Sequence, residues 1–294
     1  MRKLINSLLV LLGVVFILYL VFLVGGSYVE TYRLNRIEMA YNQDPERNYF
    51  DYEAELKILG MMRMATARFT ESSSLWKKYL ETDYKHFEYN KNQRQSFKSN
   101  MLILGDFYPY VFYVDDQKIT DRIFLRGLSS LDELYTSYYL SNDLDSTERK
   151  LMACTYANYL PYAIQIKSTT DLASILTKID QLYDVNKIDC MTVTSAEIND
   201  SKIIYQILIG NLAEAGRLYT LNYKQEVDED FLTSFADDYV FSLLMSNEIK
   251  IGKTTPAMFA ELERGINADP VKHLLFRYFY VPLGQWGYFL GGLK

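Results

Sequence analysis

Histidine and cysteine are scarce in this chain, with two of each among 294 residues. A zinc site needs about four ligands drawn mostly from those side chains, so that chemistry is nearly excluded. Positive charge is also short, with 31 Lys and Arg against 37 Asp and Glu and a net of −6. A generic nucleic-acid binder relies on a basic field, which this composition lacks, so no nucleic-acid partner is expected. Disorder is excluded by the 49% hydrophobic content, and a polytopic membrane protein by the 23% charged content. No Pro/Gly/Ser-rich linker or low-complexity tract divides the chain. No G-x-S-x-G elbow occurs, and His86 and His273 have no companion ligands near them in sequence. Nothing in the sequence calls for a cofactor.

What the averages conceal is an apolar block at the N-terminus. Residues 4–24 read LINSLLVLLGVVFILYLVFLV, where only Asn6 and Ser7 are polar and no charge occurs. Those 21 residues make a helix about 31 Å long at about 1.5 Å per residue. A hydrocarbon core is about 30 Å thick, and a helix satisfies its own backbone hydrogen bonds within it. Membrane lipid is therefore the expected partner of residues 4–24. A cleavable signal peptide is the competing reading. Val24-Gly25-Gly26-Ser27 offers small residues, but Ala is missing there and the run exceeds the roughly 7–15 residues of a usual apolar core. No Cys follows for a lipid anchor. The sequence favours an uncleaved signal-anchor.

Arg2 and Lys3 precede the block, whereas Arg33 and Arg36 follow at a distance and mixed with Glu30 and Glu38. That bias sets the N-terminus in the cytoplasm. With Arg2 and Lys3 set aside, 29 basic residues face 37 acidic ones, and this net of −8 would sit outside the cytoplasm. The expected organisation is a membrane anchor over 1–26, a helical extension over 27–50, and a mostly helical extracytoplasmic domain over 51–294.

Apolar residues recur three and four apart through that domain, which predicts a mainly α fold of about ten helices. Val29, Tyr32, Ile37 and Tyr41 extend the first helix to Asp44-Pro45, an N-cap followed by a first helical proline. Ile58, Met61, Met62, Ala65 and Phe69 mark the next helix, and Leu75, Trp76, Tyr79, Leu80 and Phe87 another. Ser129 and Ser130, with Asp132 and Glu133 three positions on, read as overlapping capping boxes. A helix is expected to start near Asp145 or Ser146 and fail at Pro161. Leu172, Ile175, Leu176, Ile179 and Leu182 form the cleanest stripe, and further stripes run through Ile203 to Leu212 and through Phe231, Phe235 and Tyr239. Thr255-Pro256 and Asp269-Pro270 repeat the helix-start signal. Residues 108–114 and 191–194 are the two stretches that read as strands.

AMFAELERGINADP, from residue 257, resembles the second helix of a tetratricopeptide repeat ending at its Asp-Pro turn. RIEMAYNQDP near residue 36 and NLAEAGRLY near residue 211 resemble it more faintly. The resemblance implies stacked helix pairs. No 34-residue period runs through the chain and most consensus positions are absent, so helical-repeat-like stacking is an open reading and the family is not claimed.

Few residues carry a chemical signal. Gly252-Lys253-Thr254 looks like the end of a P-loop, but Asn247 stands where the loop needs Gly. Asp143-x-Asp145-x-Thr147 fails as an EF-hand, with Glu148 at the turn Gly and Cys154 at the bidentate Glu. Carboxylates pair at Asp115/Asp116, Asp132/Glu133, Asp228 to Asp230 and Asp237/Asp238. Asp115 and Asp116 are the weak catalytic candidates, because they follow an aromatic run that could border a cleft. Cys154 and Cys190 are a possible disulfide in an oxidising compartment. The lone sequon is Asn199-Asp200-Ser201. The 26 tyrosines suit interfaces, sugar stacking or a Tyr-rich core. The aromatic run from Tyr278 is too interrupted for a second span and suits an interfacial belt or a tail docked on its own domain. Together these readings predict a protein-interaction or assembly module in a membrane or envelope complex, with its oligomeric state open. A membrane-tethered enzyme acting on a glycan or other envelope polymer is the alternative.

Overall fold

The proline-free apolar run of residues 4–24, too long for an ordinary strand, lies within one helix. The computed structural model describes residues 2–65, 68–111, 114, 117–188, 190, 193–245, 264–266 and 268–291. It is mainly α, with no strand among the described residues. The helices are α1 (Arg2–Gln43), α2 (Pro45–Ala65), α3 (Phe69–Asn90), α4 (Phe97–Val111), α5 (Gln117–Leu134), α6 (Ser146–Ala157), α7 (Leu160–Gln165), α8 (Thr169–Leu182), α9 (Ser195–Leu208), α10 (Leu212–Tyr223) and α11 (Glu229–Met245). A C-terminal segment comes last as Pro270–Leu275, a π-helical turn Phe276–Tyr280, and Val281–Gly291. Contacts divide the chain into two compact units, residues 1–79 with 257–294, and residues 80–256.

In the first unit, α1 is long and apolar enough to cross a membrane. Residues 11–21 are all exposed. The helix continues past the apolar run and stops where Asp44 takes over. Asp44 Oδ1 accepts from the Arg47 amide at 3.1 Å, and Asn48 Nδ2 donates to the Ala40 carbonyl at 3.0 Å, satisfying groups that the two helix ends leave free. On α2 the buried face is Tyr49, Tyr52, Leu56 and Leu59. The expected stripe was partly misplaced: Ile58 is 50% and Met61 44% exposed, and Phe69 begins α3. The tyrosines set the face instead, because the Tyr52 ring stacks on Tyr41 of α1 at 4.5 Å. Leu75, Trp76 and Tyr79 are buried on α3 as expected. The indole of Trp76 lies so close to Gly60 that a Cβ there would sit 2.8 Å from Cε2.

In the second unit α4 packs on α5 and α6, α6 on α8, α8 on α9, α9 on α10, and α10 on α11. The α8 stripe is buried at all five expected positions. Tyr156, Tyr159 and Tyr162 bury their rings and donate to Asp132 Oδ1 at 2.7 Å, the Leu104 carbonyl at 3.0 Å and Asp121 Oδ1 at 2.5 Å. A buried phenol needs such an acceptor, so Tyr builds this core without orphaned hydroxyls. Burial, with the Asp132 charge, pushes the Tyr156 phenol far up. Lys178 Nζ joins the same Asp132 oxygen at 2.5 Å and ties α8 to α5.

Three local expectations are corrected. Tyr108 to Val111 close α4 and are not strand. Of the second stretch, Met191 and Thr192 lie outside the described residues. Ser129 and Ser130 begin no helix, because α5 already runs through them and buries Ser130. The helix from Ser146 ends at Ala157, before Pro161, and Pro161 then sits in the first turn of α7, where its missing N–H costs nothing.

The start at Asp145 holds as a full capping box with Glu148. Arg94 grips the same carboxylate with both terminal nitrogens, at 2.8 and 2.7 Å. That hydrogen bonding holds the Glu148 carboxyl below its ordinary range. A lowered carboxyl contributes stability that is complete above the unfolded value, here 4.5, and is lost as pH falls through the folded value. Arg94→Ala is expected to cost about 1–2 kcal/mol near neutral pH and to flatten the acid limb of thermal stability. Unfolding followed from pH 7 to pH 3 checks both.

Candidate functional site

Two features of the described residues lie beyond ordinary core packing, one in each unit. The first is a charge network on α1 just past its apolar run. Glu30 is only 2% exposed. It accepts from Arg63 Nη2 at 2.7 Å and Nε at 3.0 Å, and from Arg68 Nη1 at 2.8 Å. Arg68 also reaches Glu71 Oε2 at 2.5 Å. One turn along α1, Arg33 pairs with buried Glu55 at 2.5 Å and donates to the Tyr288 carbonyl at 2.5 Å. The Arg33 guanidinium lies 4.3 Å over the Tyr288 ring, whose hydroxyl donates to Glu55. Burial lifts the Glu55 carboxyl above its usual range, with Arg33 opposing. Three acids and three arginines balance, so the two buried carboxylates, Glu30 and Glu55, are matched.

The C-terminal helix seats beside this network. Trp286 Nε1 donates to the Phe22 carbonyl at 2.9 Å and Gln285 Nε2 to Ser27 Oγ at 3.2 Å. The seat depends on Gly25 and Gly26. A Cβ on Gly25 would lie 2.8 Å from Trp286 Cζ2, and one on Gly26 2.7 Å from Gln285 Oε1. The aromatic tail thus docks on helices of its own unit. The chemistry available here is mechanical: matched charges and an indole fix the direction of α1.

The second feature is an open groove of about 690 Å³ in the second unit. Leu212, Gly216, Thr220 and Leu221 of α10 line one side, and Val227 and Leu232 the other. Its floor is firm, because Leu232 packs into a cluster with Ile203, Ala215 and Tyr219. Glu226, Asp228 and Glu229 rim it. Asp228 also caps α11 by accepting from the Phe231 amide at 2.8 Å. The one basic residue in the lining, Arg217, is engaged by Glu214 at 2.7 Å. Leu221 and Tyr223 are exposed nearby on α10. The Tyr223 hydroxyl donates to Asp200 Oδ1 at 2.5 Å, while burial raises the Asp200 carboxyl.

The sequence-predicted residues fall elsewhere. Asp115 and Asp116 lie outside the described residues, as do Gly252-Lys253-Thr254 and Thr255-Pro256. Asp132 and Glu133 end α5, and Asp132 is taken by Tyr156 and Lys178. Cys154 of α6 is bonded to Cys190, with 5.6 Å between their Cα atoms. The sequon lies inside α9, where Ser201 is buried and donates to the Glu197 carbonyl at 2.7 Å. His86 is half-buried beside Asn90. Among the described residues, no group of three His, Cys, Asp or Glu side chains is placed to hold a metal ion. Sequence reasoning used Glu30 and Arg33 only for topology. The signal it passed over was opposite charges three apart directly after the apolar run, with two more arginines in RMATAR at 63–68. No family model, curated protein or solved structure matches the chain.

Proposed function

We propose that the chain is a single-pass membrane protein whose extracytoplasmic helical domain docks a protein partner of a membrane or envelope complex. The observation that carries this reading is the groove along α10. Its apolar floor and acidic rim suit an amphipathic segment with basic flanks. Two further features support the topology: the charge bias of Arg2 and Lys3 before the apolar run, and the Cys154–Cys190 bond, which suits an oxidising compartment. The network at Glu30 and Arg33 supports a tether that holds its direction where it leaves the bilayer. The glycan-directed alternative rests on Asp115 and Asp116, which lie outside the described residues.

A photo-crosslinking residue in place of Leu221, in native membranes, is expected to give one dominant adduct with a partner. Gly216→Trp, which fills the groove, is expected to lower the adduct about tenfold, as losing a central contact of about 1.4 kcal/mol would. No adduct at Leu221, or one untouched by Gly216→Trp, counts against the groove as the docking site.

A further inference from the structure

The segment 270–291 contains Lys272, His273 and Arg277 and no acidic residue, in a chain of net charge −6. Many of its apolar side chains point outward, Tyr288 and Trp286 being turned inward. Val271 is 73% and Leu274 57% exposed, and Leu275, Phe279, Tyr280 and Leu283 are exposed with them. Only the second half of the segment packs closely, with Val281–Gly291 lying on α1 and α2. Its attachment points are informative. The Tyr19 hydroxyl donates to the Tyr278 carbonyl at 3.1 Å, and Trp286 is bonded to the Phe22 carbonyl. Tyr19 and Phe22 belong to the last turns of the apolar run, where Tyr19, Leu20 and Val21 are themselves exposed. The outward rings of the C-terminal segment are therefore continuous with the surface that α1 offers to lipid.

We propose that this segment is a lipid-facing collar, with its apolar side chains seated at the headgroup–acyl boundary beside the anchor and Lys272 and Arg277 meeting anionic headgroups. The inference rests on residues 4–24 being a membrane span and adds a second lipid-contacting element from the other end of the chain. Three properties select lipid as the occupant. Trp and Tyr prefer that boundary, since their rings are apolar and their polar atoms find water or backbone. Long basic side chains can lie along apolar surface and place their charge among headgroups. A basic, acid-free segment in an acidic chain gains from an anionic surface, whereas in a second copy it would meet a chain of net charge −6 only through the same basic segment or through acidic surface. Lys272 keeps a loose pair with Asp269, at 3.7 Å, and remains on the surface.

The test uses the full chain in phosphatidylcholine/phosphatidylglycerol vesicles that carry nitroxide-labelled acyl chains. Leu274→Cys, Phe279→Cys and Leu283→Cys are each labelled with an environment-sensitive fluorophore. Cys154 and Cys190 are bonded to each other and take no label. Ile209→Cys on the second unit is the aqueous reference, and Leu12→Cys reads the anchor. At all three collar positions the nitroxide lipid is expected to quench at least about twofold, with iodide quenching about half that at position 209 or less. Quenching by lipid at position 12 but not at the collar, with full iodide access there, overturns the collar and leaves the anchor standing. No lipid quenching at position 12 overturns the anchor reading and the collar with it. Collar labels shielded from both quenchers, together with chain-to-chain crosslinks, would assign the surface to a second copy and overturn the proposal. Each probe replaces an exposed side chain, and three independent positions guard against one misfolded variant.

Discussion

Glu30→Ala is expected to destabilise the first unit by about 3 kcal/mol or more, the largest loss for any single charged residue among those described. The side chain is 2% exposed and holds two guanidinium groups. Removing it takes from Arg63 and Arg68 the buried carboxylate that both share, and leaves exposed Glu71 as the carboxylate near them, 3.9 Å from Arg63 and 2.5 Å from Arg68. A buried guanidinium without its carboxylate carries a desolvation penalty that water cannot relieve. Glu71→Ala is the contrast. Its side chain is 53% exposed, so its pairs are screened and the loss should stay below about 1 kcal/mol. A third variant separates the cost of an orphaned charge from the worth of the pairs. Replacing Glu30 by Leu together with Arg63 and Arg68 by Met removes the buried carboxylate and both of its guanidinium partners at once. This triple change is expected to recover most of the loss, because apolar groups of similar size replace buried ions at little cost. Thermal unfolding in mild detergent measures all three. If Glu30→Ala is silent, the network does not hold α1, and the rigid tether loses its basis.

The same residues show what could be read in the sequence and what could not. The α8 stripe and the starts at Asp44, Asp145 and Asp269 were legible, because periodicity and capping are local and the chemistry that enforces them lies within four residues. Even so, local signals mislead where the chain has already committed. The Ser/Thr-x-x-acid pattern caps α9 at Thr194 and Glu197, yet at Ser129 and Ser130 it lies within a helix begun at Gln117. Proline misled in the same way, since Pro161 opens α7 and does not end α6. Long-range pairing was not legible. Nothing in the spacing says that Gly25 and Gly26 make room for Trp286 and Gln285 some 260 residues away, or that Arg33 and Glu55 meet Tyr288. Nor did composition separate residues 51–79 from residues 80–256, although the former pack with the two chain ends. The groove was invisible for a related reason. A groove is set by which faces α10 and α11 leave uncovered, and the sequence specifies only the faces that they bury.

Loss of the Cys154–Cys190 bond is expected to destabilise the second unit by about 3–4 kcal/mol, from the chain entropy of closing a loop with a sequence separation of 36. For a unit of this size each kcal/mol is worth about 2–4 °C, so the melting point should fall by roughly 6–16 °C. The loop encloses α7, α8 and the turn at Val185–Lys187, and it fixes the approach to α9. Because either cysteine alone leaves the chain open, Cys154→Ser, Cys190→Ser and the double variant are expected to melt within about 2 °C of one another. Packing makes a different prediction. Cys190 is buried and Cys154 partly so, and if their sulfurs mattered only as small apolar groups, the two single losses would differ and add. Reducing the native chain should reproduce the variants without any substitution. The state of the pair also bears on topology. A chain taken from its native membrane, blocked before unfolding and then reduced, is expected to expose two new thiols. If both are already blocked as free thiols, the bond is absent where the protein works, and the extracytoplasmic placement of residues 51–294 loses its strongest chemical support.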